Sequence, residues 1–97
     1  MKTYIYILKL SQRLFDEDAW LEEDEQAVNN HFLRLKEDFE KGKVLHVGRT
    51  VNPTNDGFGM VVFKAENDEQ AIEYMNSDPA VIGKQMTGIC KEYKHIF

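Results

Sequence analysis

The sequence predicts an α+β domain in which one four-stranded antiparallel sheet carries two helices on one face. Three observations lead there. Apolar patterning divides the chain into six segments in the order strand, helix, strand, strand, helix, strand. A dense turn signal, Asn52-Pro53-Thr54-Asn55-Asp56-Gly57, joins the two middle strands as a hairpin. The first and third strands are apolar on both faces, as strands at the centre of a sheet are.

Thr3 to Leu10 is the first strand, with Tyr4, Tyr6 and Leu8 on one face and Ile5 and Ile7 on the other. Ser11 to Leu21 has no clean period and reads as a loop that folds back, carrying Phe15 and Trp20 among acids. Helix one is expected from about Asp24 to Lys41. Acids open it at the positive end of its dipole, and Val28, Phe32, Leu35 and Phe39 repeat at helical spacing. Gly42 ends it as a residue just past a helix does. Lys43 to Val51 and Phe58 to Ala65 are the hairpin strands. Asn67 caps helix two, Gln70 sits at its capping-box position, and Ala71, Ile72 and Met75 form its buried side. Asp78-Pro79 begins a short turn that Gly83 breaks, and Met86 to Ile96 is the last strand. Right-handed crossovers around a central hairpin give the ferredoxin-like βαββαβ fold, with strands one and three inside. Its helices cover only one face. The economical cover for the other is a second copy, sheet against sheet, in a twofold homodimer.

Composition narrows the function. The 97 residues hold one core and one domain, 1–97, with 42% hydrophobic and 30% charged residues. Seventeen acids against 12 Lys and Arg give −5, the wrong sign for bulk nucleic-acid binding or for an anionic membrane surface. The single cysteine, Cys90, excludes an internal disulfide framework, and no apolar run is long enough for a signal core or a membrane span. A cytoplasmic protein is expected. The three histidines have no ligand spacing and no Gly-rich phosphate loop occurs, so neither a metal nor another cofactor is expected.

Some residues still suggest chemistry. His31 lies on the flank of the helix-one stripe, either as a boundary histidine bonded to a carbonyl or as a general base. Asp78 before Pro79 is an N-cap, and one of its oxygens can cap while the other orients a histidine. Arg49 is either a solvated strand residue or a bidentate anchor for an anionic ligand. Trp20 is a core plug that could also close a pocket. An RNA-recognition motif is approached by Asp56 to Phe63 and by Ile5 to Leu10. However, Asp56 stands for that motif's cation and Met60 for its central stacking ring.

Taken together, these residues resemble the YCII-related (YciI-like) family of the dimeric α+β barrel group over nearly the whole chain. The resemblance rests on Tyr4 to Leu8, Trp20, His31 with Phe32 and Leu35, Gly42 to Leu45, Gly48-Arg49-Thr50, Gly57-Phe58-Gly59, Ala71, and Asp78-Pro79-Ala80-Val81 with Gly83 and Met86. It implies a face-to-face homodimer whose active-site pocket holds His31 and Asp78 as the catalytic pair. Arg49, Trp20 and Phe58 are the candidate contacts to a small, aromatic or anionic substrate. Relatives of the family imply isomerase, lyase or dehydrohalogenase chemistry by analogy of fold. Two other functions stay open at this point: a non-catalytic module that binds or senses a small ligand, and a single-stranded RNA binder.

Overall fold

The structure, a computed structural model, describes residues 1–97. Strand β1 (Lys2–Leu10) is followed by two 3-10 turns (Gln12–Phe15 and Glu17–Ala19) and helix α1 (Glu22–Glu40). Strands β2 (Val44–Arg49) and β3 (Gly59–Ala65), helices α2 (Asp68–Asn76) and α3 (Pro79–Ile82), and strand β4 (Met86–Glu92) complete the chain. The sheet order is β2-β3-β1-β4 with every pair antiparallel, the expected ferredoxin-like arrangement with strands one and three central. No helix is long and apolar enough to cross a membrane.

Alternation sorts the central strands between two faces. Tyr4, Tyr6 and Leu8 of β1 join Val61, Phe63 and Ala65 of β3, Leu35 of α1, and Ala71 and Met75 of α2 in one core. On the opposite face, Ile5 pairs with Val62, and Ile7 lies between Met60 and Ile89. That face is aliphatic along both central strands. Every ring of β1 and β3 turns towards the helices instead, so the stacking platform of an RNA-recognition sheet is missing.

The ends of the elements differ from expectation for local reasons. The last strand stops at Glu92 rather than Ile96, because β1 runs out: Glu92 pairs with Tyr4, and Tyr93 N–H donates once more to Thr3 C=O. His95 therefore lies beyond the strand, not on it. The expected loop is two 3-10 turns, held by Leu14 in the core and by the Trp20 indole N–H donating to Leu14 C=O at 2.9 Å. Phe58 precedes β3 instead of opening it. Helix α1 ends in a full Schellman closure, with Lys43 N–H on Asp38 C=O, Gly42 N–H on Phe39 C=O, and Gly42 at φ 84°.

The buried line of α1 runs along Asp24, His31 and Leu35. Phe32 and Phe39, read from the sequence as stripe residues, are 45% and 54% exposed. Two polar residues take the central positions because each finds partners there, which makes their burial tolerable. For Asp24 the partners are Arg13, Leu21 N–H and Gln85. Arg13 Nη1 and Nη2 each donate to it at 2.9 Å, and the Gln85 amide donates at 3.0 Å. The Arg13 guanidinium, then Gln85 and Leu21 N–H, hold the Asp24 carboxyl well below the usual carboxylate range.

Gly83 leaves room for this cluster. A Cβ there would stand 2.2 Å from Gln85 Oε1 and 2.9 Å from its Cδ. Gly83 has an ordinary φ of −78°, so the clash decides, not the backbone. Gln85 is buried and fixed on Asp24, so its amide cannot swing clear without losing that bond. Gly83→Ala is expected to cost roughly 1–3 kcal/mol. Thermal unfolding checks this, and an unchanged midpoint would show that the amide is free to move.

Candidate active site

His31, Asp78 and Tyr6 meet behind a cavity in the protein surface, although they come from three elements. Chain chemistry explains each arrival. Asp78 is the N-cap of α3: its Oδ1 accepts Ala80 N–H at 2.9 Å, and Pro79 takes the first helical position, where no N–H is needed. α1 crosses above α3 and brings His31 onto the cap. Its Nδ1 lies 2.8 Å from Asp78 Oδ1 and 2.7 Å from Oδ2. Tyr6 reaches up from the centre of the sheet and donates its hydroxyl to Oδ2 at 2.7 Å. All three side chains are buried, with Asp78 and Tyr6 0% exposed and His31 3%.

The hydrogen bonds settle which atoms are available for chemistry. Asp78 accepts from three donors and is occupied on both oxygens, so it is spent as a base. Burial raises its carboxyl, but His31, Tyr6 and Ala80 outweigh that and hold it below its ordinary value. An ionised Asp78 requires a proton on His31 Nδ1, which leaves Nε2 as the imidazole's free nitrogen. Tyr6 cannot take Nε2's place. Burial, the Asp78 charge and the shared hydrogen bond push its phenol far up, so it stays a donor. Phe32 packs edge-on to the imidazole at 4.8 Å and fixes the ring from the other side.

The cavity holds about 1090 Å³ and is open to solvent on one side. It lies between the first half of α1, the 3-10 turns and the Leu8–Leu10 end of the sheet, with His31 in its lining. Its volume suits a small organic ligand with some water. Trp20, Arg49 and Phe58, singled out in the sequence, all line it, and Phe15 and Phe32 add two more rings. The indole N–H of Trp20 is already used on Leu14 C=O, so Trp20 offers a ligand its ring and no donor. Arg49 spends Nη1 on the carbonyls of Thr50 and Val51, both at 3.2 Å, and keeps Nε and Nη2 for an anionic group. The turn from Thr50 to Phe58 is closed by Thr50 Oγ1, which accepts Phe58 N–H at 2.9 Å and so sets Phe58 at the rim. No group of three His, Cys, Asp or Glu side chains is placed to hold a metal ion.

Two residues of the site had gone unnoticed in the sequence. Tyr6 is one, and the signal for it was general: a tyrosine at the centre of a doubly buried strand must place its hydroxyl on a partner. Arg34 is the other. Its guanidinium stacks over the Tyr74 ring at 4.0 Å, Nη2 donates to Tyr74 C=O at 2.9 Å, and Nη1 lies 4.0 Å from Asp78 Oδ2 with no other partner. Nothing in the spacing of residues 34 and 78 announces that contact.

No protein-family model matches the chain, and no curated protein matches it by sequence. A solved structure does match in shape. It is 5-chloro-2-hydroxyhydroquinone dehydrochlorinase (TftG) from Burkholderia phenoliruptrix AC1100, in complex with 2,5-dihydroxybenzoquinone. The TM-score is 0.63 at 14% identity, over 96% of this chain and 94% of that one. At that identity the likeness is one of fold, and it spans the full ferredoxin-like domain.

Proposed function

We propose that this single-domain chain is a cofactor-free acid/base enzyme of the YCII-related kind. It would act in the cytoplasm, as a homodimer, on a small aromatic or cyclic compound that carries an anionic group. The observation that carries the reading is the buried His31–Asp78 pair at the wall of an aromatic-lined cavity. His31 Nε2 removes a proton from the substrate, and Asp78 stabilises the imidazolium that forms, as a carboxylate does for a catalytic histidine. The electron pair left on the substrate then takes one of two courses. It either accepts the same proton back at a neighbouring atom, an isomerisation, or expels a leaving group, a lyase or dehydrohalogenase step. Arg49 meets the negative charge as it develops on an oxygen. A neighbour of like fold is a dehydrochlorinase with a bound quinone, which supports the second course by analogy.

The test is a thermal-shift screen with small phenols, quinones and aromatic carboxylates, followed by turnover measurements on those that bind. His31→Gln should keep binding and lose turnover by at least ~100-fold, the scale of a general base. Binding with no turnover in the wild type would point to a ligand-sensing module instead, a reading that the low exposure of His31 also favours.

The homodimer is a second expected outcome. Ile5, Ile7, Met60, Val62 and Ile89 form an aliphatic face opposite the helices, in which Ile5 and Val62 are already buried, Ile7 and Met60 are half-buried, and Ile89 is 61% exposed. Sedimentation at micromolar concentration should give twice the chain mass, and Ile89→Lys should shift the species towards monomer. A wild-type monomer would overturn the face-to-face arrangement.

A further inference from the structure

We infer that Tyr6 and Arg34 are positioning residues for His31 that act through Asp78. Tyr6 pins the carboxylate that His31 bonds to, and Arg34 offsets the charge of that carboxylate. The inference rests on the acid/base reading of the pocket.

The geometry of Tyr6 carries the first half. Its hydroxyl and His31 Nδ1 both reach Asp78 Oδ2 at 2.7 Å, while Nδ1 also lies 2.8 Å from Oδ1. Ala80 N–H holds the other oxygen at 2.9 Å. The carboxylate is therefore pinned on both sides and cannot rotate away from the imidazole. Tyr6 is itself fixed, edge-on against Phe63 at 5.5 Å and against Tyr74 at 6.2 Å, on a central strand of the sheet. A side chain held this firmly passes its position on to the next group, which is what a base needs in order to meet substrate at one angle.

Charge carries the second half. Around a neutral imidazole, Asp78 and Arg34 sum to zero. After proton uptake the group is +1 with Arg34, and would be zero without it. Arg34 thus keeps Asp78 from trapping the proton on His31, so that the base can return it. Its unpartnered Nη1, 4.0 Å from Oδ2, is placed for that long-range role and not for a direct bond. Further out lie the Tyr74 phenol on the Arg34 side, with Asp38 accepting its hydroxyl and Lys43 over its ring, and Glu17, Asp18, Glu25 and Arg49 on the cavity side. None is within hydrogen-bond reach of His31 or Asp78.

Imidazole NMR on the labelled full chain tests this, since the Nδ1–H resonance reads the strength of its bond to Asp78. In the wild type Nδ1 should carry the proton and Nε2 should be bare. Tyr6→Phe removes one donor from Oδ2, concentrates charge there, and should move the Nδ1–H resonance downfield. Arg34→Met removes the balancing cation and should move it the same way. If Tyr6 and Arg34 serve only packing, both variants lower the unfolding midpoint and leave the resonance in place, which overturns the inference. Should Tyr6→Phe not fold, Arg34→Met decides alone, since that side chain is 22% exposed and its loss is easier to accommodate. Asp78→Asn separates the two levels. A wild-type resonance that survives this substitution defeats the acid/base reading itself. Its loss there, with no movement in the other two variants, defeats only the positioning roles.

Discussion

Asp78→Ala is expected to remove much of the stability of this domain. The substitution strips a partner from His31 Nδ1–H, from the Tyr6 hydroxyl and from Ala80 N–H at once, in a buried site. Removing one member of a buried pair typically costs about 3–5 kcal/mol. Small domains have only about 5–15 kcal/mol in total. At this chain length the unfolding midpoint should fall by roughly 15–30 °C. Asp78→Asn should fall less, because its carbonyl oxygen still caps α3, although its amide NH2 then meets the donors Tyr6 and His31. A midpoint for Asp78→Ala within a few degrees of wild type would show that the three contacts carry little energy. The pH response follows from the lowered carboxyl of Asp78. A carboxyl held below its unfolded value of about 3.9 contributes fully above that pH, and its contribution is lost as the pH falls through the folded value. Acid should therefore destabilise the wild type more steeply than Asp78→Asn below about pH 4.

Asp24→Ala is the second large effect, and it acts on the cavity wall. The Asp24 carboxylate ties Arg13 of the first 3-10 turn to the start of α1 and to Gln85 before β4. Without it, Gln85 loses its donor contact in addition to its already unpartnered Oε1, and Leu21 N–H loses its acceptor. The cost should be about 2–4 kcal/mol, less than for Asp78 because the Arg13 charge can return to water. Arg13 is 48% exposed already. Hydrogen exchange should accelerate across residues 12–21 while β1 and β3 stay protected, the pattern of a local opening. Ligand affinity should fall with it, since Phe15 and Trp20 belong to that wall. Unchanged exchange in this segment would mean that Leu14 packing alone holds it. The sign with pH is the same as for Asp78: this contribution is present above the unfolded carboxyl value and lost as acid protonates Asp24.

How much of this the sequence disclosed depended on the range of each signal. Gly42, Asn67 and Asp78-Pro79 were legible because capping is local grammar, and each sits where it was expected. The two central strands were legible because burial on both faces leaves no polar alternation. The orientation of α1 was not. Apolar periodicity favoured Phe32 and Phe39, and pattern alone could not show that Asp24 and His31 had partners waiting at the core. The partners lie far along the chain: Asp78 is 47 residues from His31, and Gln85 is 61 from Asp24. His31 and Asp78 were paired only through family resemblance, and Tyr6 and Arg34 escaped even that. Contacts of this length are set by topology, which no single residue announces.

The register of β1 against β4 has a practical consequence. Glu92 pairs with Tyr4, Lys2 reaches it diagonally with the two side chains 3.9 Å apart, and the cavity lies at the Leu8–Leu10 end of the same strand. Eight strand steps separate Lys2 from Leu10, about 25 Å. A label or surface tether attached at Lys2 or Glu92 therefore leaves from one end of the sheet, away from the cavity mouth. An immobilised form can be built from either position without obstructing small molecules on their way to His31.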